Sequence, residues 1–78
     1  MKKVAVVGLG YVGLPLAVAF GKKLPTIGFD LDKKKLAAYL SGKDPSGEVA
    51  PEDLAAASHL ELTDDPAKLA EANVIIIA

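Results

Sequence analysis

Three glycines and one acidic residue are spaced in a way that suits recognition of a phosphate and a sugar. Gly8, Gly10 and Gly13 form the pattern G-x-G-x-x-G, and Asp30 follows 22 residues after Gly8. When such a loop joins a strand to a helix, backbone N–H groups are left free at the helix N-terminus, where the helix dipole favours an anion. The spacing therefore predicts a pyrophosphate site beside a ribose site.

Each position of the loop has its own expected task. Gly8 allows the tight turn out of the strand, Gly10 lets a pyrophosphate approach the backbone, and Gly13 lets the helix pack closely on the sheet. The amides of Tyr11 and Val12 are expected to be free to bind the anion. In the simpler interpretation, the three glycines only make a turn.

Asp30 indicates which dinucleotide the site prefers. A carboxylate at the end of the second strand accepts hydrogen bonds from both hydroxyls of the adenosine ribose and repels a 2′-phosphate, which favours NAD over NADP. Lys35 is placed to lie over the adenine or to reach a phosphate. The simpler interpretations are that Asp30 is a helix cap, a role for which Asp32 is better placed, and that Lys35 is a solvated helix lysine.

Strands alternate with helices along the chain. The hydrophobic patterns and helix caps predict strands over 4–7, 26–30, 59–63 and 74–78, and helices over 11–23, 33–40, 51–57 and 67–72. This order predicts an α/β fold, a partial Rossmann fold with a four-stranded parallel sheet in the order 3-2-1-4 and helices on both faces. Because the sequence ends in a strand, we expect 1–78 to be the N-terminal half of an NAD-binding Rossmann domain and a fragment of a longer protein.

Composition excludes several other functions. The chain has 78 residues, nine basic and ten acidic side chains and no cysteine, which argues against nucleic-acid binding, disulfides and zinc-thiolate sites. No apolar run exceeds five residues, so no membrane span is expected. The balanced charge and the lack of an export signal favour a cytoplasmic location. Asp64 and Asp65 precede Pro66 and are interpreted as a helix cap, not as metal ligands. His59 has no visible nucleophile partner and is assigned no role, and no metal site is expected within the chain.

Two longer segments resemble a known family. VAVVGLGYVGLPLAVAFGKK and GFDLDKKK are similar to the amino terminus of the UDP-glucose/GDP-mannose dehydrogenase family, the nucleotide-sugar 6-dehydrogenases, and the resemblance extends over all 78 residues. Residues 42–49, GKDPSGEV, replace the Pro- and Glu-rich signature usual in UDP-glucose enzymes. Together with 62–65, LTDD, they resemble the branch of UDP-N-acetylglucosamine and UDP-N-acetylgalactosamine 6-dehydrogenases that serve Vi polysaccharide and O-antigen synthesis.

The resemblance implies an activity and a set of cofactor residues. It implies oxidation of the C6 alcohol of a UDP-sugar to a carboxylate in two NAD-dependent steps, by catalytic residues beyond residue 78 and in a homodimer or larger homo-oligomer. The cofactor-binding positions that it implies are Gly8, Gly10, Tyr11, Val12, Gly13, Asp30 and Lys35. Two alternatives stay open: the NAD domain of a β-hydroxyacid dehydrogenase, which usually has Met before the third glycine, and a non-catalytic NAD-sensing regulatory module.

Overall fold

The computed structural model describes residues 2–78, and it arranges them as a parallel sheet with helical connections. The strands are β1 (Val4–Val7), β2 (Thr26–Phe29), β3 (Leu60–Thr63) and β4 (Val74–Ile77); the helices are α1 (Gly13–Gly21), α2 (Lys33–Leu40), α3 (Pro51–Ala56) and a 3₁₀ helix over Pro66–Glu71. All neighbouring strands pair in parallel, and the sheet order is β3-β2-β1-β4. The predicted topology is confirmed.

Alternation along the strands builds two packed layers. Val4 and Val6 of β1 belong to the core cluster with Leu14, Ala17 and Val18 of α1, so this face of the sheet is covered by that helix. The opposite face carries Ala5 and Ile27, which are fully buried, and the 3₁₀ helix packs against β2. Helical segments therefore cover both faces, as the α/β pattern predicts.

The first helix is shorter than predicted. It spans Gly13–Gly21 instead of 11–23, and its first i→i−4 hydrogen bond runs from the Leu14 amide to the Gly10 carbonyl. At the other end, the amides of Lys23 and Leu24 both donate to the Phe20 carbonyl, which tightens the last turn before Pro25. Tyr11 and Val12 thus belong to the glycine loop and not to the helix.

The predicted α-helix over 67–72 is wrong in type. The structure has a 3₁₀ helix over Pro66–Glu71, with i→i−3 bonds from the amides of Lys68 to Asp65 and of Ala72 to Leu69. The segment between Pro66 and β4 is short, and nucleating an α-helix is costly, so the tighter 3₁₀ turn is favoured there. The predicted cap is confirmed, because the Asp65 side chain accepts a hydrogen bond from the Ala67 amide at 2.9 Å.

The other boundaries match the prediction or differ from it by one residue, which is the normal uncertainty at element ends. The predicted ends at 30, 57 and 78 and the predicted strand start at 59 each lie one residue outside the observed element. None of the helices within residues 2–78 has the length and apolar character that crossing a bilayer requires.

Candidate dinucleotide site

An open cleft lies at the carboxyl ends of β1 and β2, where a doubly wound sheet usually binds its ligand. Its volume is about 350 Å³. It is lined by the glycine loop, by both polar candidates and by the end of β4: Gly8, Leu9, Gly10, Tyr11, Val12, Gly13, Asp30, Lys35 and Ala78. The structure therefore brings all seven sequence-predicted site residues to one surface.

The glycine loop depends on two close backbone approaches. Gly8 has φ +96°, a conformation that residues with a Cβ rarely adopt. A Cβ on Gly13 would lie 1.6 Å from the Gly8 carbonyl oxygen, so only glycine lets α1 start this close to β1. Gly10 differs, because a Cβ there would meet no atom within 4 Å and would point into open space.

The loop leaves donors unused. Within residues 2–78, the amides of Gly10, Tyr11 and Val12 donate no hydrogen bond to a protein acceptor. They lie just before the first turn of α1, a nine-residue helix whose dipole favours an anion at this end. The side chain of Tyr11 is 72% exposed, so its ring is not a core aromatic.

Asp30 is held in place by the backbone around it. One carboxylate oxygen, Oδ2, accepts from the Leu9 amide at 2.9 Å, and the other, Oδ1, accepts from the Asp32 amide at 2.8 Å. Partial burial by itself would raise the pKa of Asp30, but these hydrogen bonds and the charge of Lys35 outweigh it and hold the pKa below its usual range. Asp30 is therefore a fixed anion at the mouth of the cleft.

Lys35 is positioned by the start of α2. Asp32 is the N-cap of this helix, and its Oδ1 accepts from the amides of Lys34 and Lys35 at 3.0 and 3.2 Å. The cap role that sequence reasoning gave to Asp32 is thus confirmed. The Lys35 side chain is exposed and lines the cleft, where its charge acts on Asp30.

Sequence reasoning missed Tyr39 and Ser46. Tyr39 is buried beneath the loop, and its hydroxyl donates to the Leu9 carbonyl at 2.8 Å. Ser46 joins Gly10, Lys35 and Tyr39 around a smaller hollow of about 200 Å³. The sequence did contain a signal for Tyr39, because it lies one turn after Lys35 on the same face of the helix. No local pattern indicated Ser46.

The surroundings of Tyr39 also affect its ionisation. Burial raises the pKa of the Tyr39 hydroxyl, and the nearby carboxylates of Asp44, Asp30 and Asp32 raise it further. The hydroxyl therefore keeps its proton at neutral pH and acts as a hydrogen-bond donor.

The described residues contain no cluster of three or more side chains of the kinds that bind metal ions.

Comparison with known proteins identifies the family. The family model described as "UDP-glucose/GDP-mannose dehydrogenase family, NAD binding domain" matches residues 2–78. The chain is 49% identical over 75 residues to a UDP-N-acetyl-D-glucosamine 6-dehydrogenase of Pseudomonas aeruginosa and 45% identical over 75 residues to one of Salmonella typhi. Each match covers 96% of this chain and 18% of the relative, so the chain spans about a fifth of the length of the curated relatives it matches.

A solved structure agrees with the sequence relatives. The chain superposes on a ternary complex of GDP-mannose dehydrogenase from Pseudomonas aeruginosa with a TM-score of 0.84 and 27% identity, covering 100% of this chain and 19% of that one. The family model describes an NAD-binding domain, so the cofactor of this family is NAD. The chain belongs to the UDP-glucose/GDP-mannose dehydrogenase family.

Proposed function

We propose that this chain is the N-terminal half of the NAD-binding domain of a UDP-sugar 6-dehydrogenase, and that it binds the adenosine and pyrophosphate of the cofactor. The observation that supports this most directly is the shared cleft, in which free amides of the glycine loop lie beside a fixed carboxylate. The proposed cofactor-binding residues are Gly8, Gly10, Tyr11, Val12, Gly13, Asp30 and Lys35.

The chemistry of the cleft fits a dinucleotide. The free amides and the dipole of α1 suit the pyrophosphate, and the open space at Gly10 lets it approach the backbone. Asp30 Oδ2 accepts from the Leu9 amide and Oδ1 from the Asp32 amide, and because a carboxylate has about four acceptor positions, lone pairs remain for the ribose hydroxyls. The negative charge of Asp30 disfavours a 2′-phosphate, and Lys35 supplies a cation at the edge of the site.

The proposed reaction is oxidation of the C6 alcohol of a UDP-N-acetylhexosamine to a carboxylate, for surface polysaccharide synthesis. When bound, NAD would supply the oxidant: conversion of the alcohol to the carboxylate consumes one water and transfers two hydrides, one to each of two NAD molecules. The support is the 45–49% identity to proteins named UDP-N-acetyl-D-glucosamine 6-dehydrogenase. We expect the catalytic residues and the sugar site in parts of the protein beyond this sequence, a homodimer or larger homo-oligomer, and the cytoplasm, where both UDP-sugars and NAD occur.

A titration of the isotope-labelled chain tests the cofactor site. We expect NAD to shift the amide signals of the glycine loop and of Asp30, and NADP to do so more weakly. Asp30→Asn keeps the shape of the side chain but removes its charge, so the preference for NAD over NADP is expected to shrink. Asp65→Asn is the matched control, because it removes a carboxylate that also accepts a backbone amide but lies at the 3₁₀ helix. Shifts spread evenly over the chain would contradict the proposed site.

An activity assay separates the enzyme from a regulatory NAD sensor, the alternative of a different class. In the full-length protein that contains this sequence, UDP-N-acetylglucosamine or UDP-N-acetylgalactosamine should drive formation of two NADH per sugar. A full-length protein that binds NAD but forms no NADH with either sugar would favour the sensor. The family match already favours nucleotide-sugar dehydrogenases over β-hydroxyacid dehydrogenases.

A further inference from the structure

Leu9, the residue between the first two glycines of the loop, is held from three directions. Its side chain is fully buried in the core and lies against the bare Cα of Gly28, where an added Cβ would be 3.4 Å from a Leu9 methyl carbon. Its amide donates to Asp30 Oδ2, and its carbonyl accepts from the Tyr39 hydroxyl at 2.8 Å. The middle of the loop is therefore fixed before any ligand arrives.

The hydrogen bond from Tyr39 determines the direction of a second group. The Leu9 carbonyl and the Gly10 N–H belong to one peptide unit, and the described residues contain no cis peptide bond. In a trans peptide the carbonyl and the N–H point in opposite directions. Because the carbonyl is tied to the buried hydroxyl, the Gly10 N–H points away from Tyr39, and this N–H has no protein acceptor within residues 2–78.

The same bond polarises that peptide unit. A hydrogen bond accepted by a carbonyl strengthens the N–H of its own amide as a donor, and the effect is larger where water is excluded. Tyr39 is only 7% exposed, so its hydroxyl has little access to water. A rotated Leu9–Gly10 peptide would leave this buried hydroxyl without its acceptor, which penalises the alternative loop conformation.

We propose that Tyr39 is a positioning residue for the pyrophosphate site: its hydroxyl fixes the Leu9–Gly10 peptide so that the Gly10 N–H is presented to the bound phosphates. This inference rests on the proposed NAD site and deepens it. Tyr39 itself does not touch the cofactor in this scheme. One face of α2 then serves the site twice, with Lys35 at the cleft and Tyr39 one turn later beneath the loop.

The test compares two variants that each remove one hydroxyl-to-carbonyl hydrogen bond. Tyr39→Phe removes the bond to Leu9. Thr26→Val is the matched control, because Thr26 is also a buried residue, its hydroxyl donates to the Leu24 carbonyl at 2.9 Å, and it lies at the far end of β2. NAD and adenosine are titrated into the labelled wild-type chain and into both variants, with thermal unfolding recorded in parallel.

We expect Tyr39→Phe to weaken NAD binding roughly 3- to 10-fold, the effect of one hydrogen bond, and to leave adenosine binding unchanged. The Gly10 amide signal of the ligand-free variant should shift as well. Thr26→Val should lower the unfolding temperature without changing NAD affinity. Equal losses for NAD and adenosine, or unchanged NAD affinity, would overturn the role of Tyr39 while leaving the NAD site intact. A folded wild-type chain that binds no NAD would overturn the proposed site and, with it, this inference.

Discussion

Gly10 and Gly13 differ by what a methyl group would meet at each position. An alanine at 13 would place its Cβ 1.6 Å from the Gly8 carbonyl oxygen, whereas one at 10 would meet nothing within 4 Å. We predict that Gly13→Ala lowers the free energy of unfolding by about 3 kcal/mol. Gly10→Ala should keep wild-type stability but weaken NAD binding on the order of tenfold, because the methyl occupies the approach to the backbone. Thermal unfolding and NAD titration of both variants measure this, and equal unfolding temperatures would contradict the packing argument.

The carboxylate of Asp30 links stability to pH. Burial favours its neutral form, but amide hydrogen bonds and Lys35 hold its folded pKa below the unfolded value of about 3.9. The folded state therefore binds fewer protons, so the contribution of Asp30 is complete well above pH 4 and is lost as the pH falls through the folded pKa. We predict that wild type is more stable to urea than Asp30→Asn at neutral pH and that this advantage disappears in acid.

Asp44 provides a second test of the same linkage. Burial by itself would raise the pKa of Asp44, as it does for Asp30, but hydrogen bonds from Ser46, Val49 and Glu48 hold the pKa of Asp44 below its usual range. The difference in the free energy of unfolding between wild type and Asp44→Asn should therefore disappear over a similar range of acid pH. A stability difference that stayed constant across pH would show that the lost contacts are steric and not charge-dependent.

At the scale of elements, the N-cap of α2 connects stability to the site. Asp32 accepts from two amides of the first turn, and the helix then positions both Lys35 and Tyr39. We predict that Asp32→Ala lowers the free energy of unfolding by about 1 kcal/mol and also weakens NAD binding. Asp32→Ser should restore most of both, because serine is a comparable cap. Urea unfolding and NAD titration of the two variants measure this. Full rescue of stability without rescue of binding would mean that the charge of Asp32, and not the cap, acts on the site.

The sequence predicted elements well where local signals agree. Short β-branched runs, Asp32, Asp65 and Pro66 define strands and caps through contacts within a few residues, and these were confirmed. The glycine spacing likewise predicted the loop that lines the cleft. The helix over 67–72 was misassigned because its caps are compatible with both an α and a 3₁₀ turn.

Other features depend on contacts that no local pattern encodes. The bond from Tyr39 to Leu9 joins residues 30 apart in sequence and exists only once α2 packs beneath the loop. The start of α1 at Gly13 follows from the close approach to Gly8, which is also a tertiary contact. Such distances are set by packing and not by propensity, so the predicted helix began two residues too early.

At the scale of the whole molecule, the two edges of the sheet differ in their protection. β3 carries Glu61, which pairs with Lys68 at 3.3 Å, and charges on an edge strand discourage pairing with another chain. β4 has the sequence VIII, and Ile75 and Ile77 are 50% and 80% exposed. An apolar, uncharged edge of this kind favours association between sheets, so the 78-residue chain is expected to self-associate through β4.

We predict that Ile77→Lys reduces this self-association, because a lysine on the edge strand must be desolvated before another strand can pair. Leu40→Lys is the matched control: Leu40 is 70% exposed, but it lies at the end of α2, away from β4. Sedimentation velocity over a range of concentrations should show the Ile77 variant shifted toward monomer and the Leu40 variant unchanged. A wild-type chain that stays monomeric at high concentration would contradict the prediction. Equal effects of both lysines would indicate that general exposed hydrophobicity, and not the β4 edge, drives association.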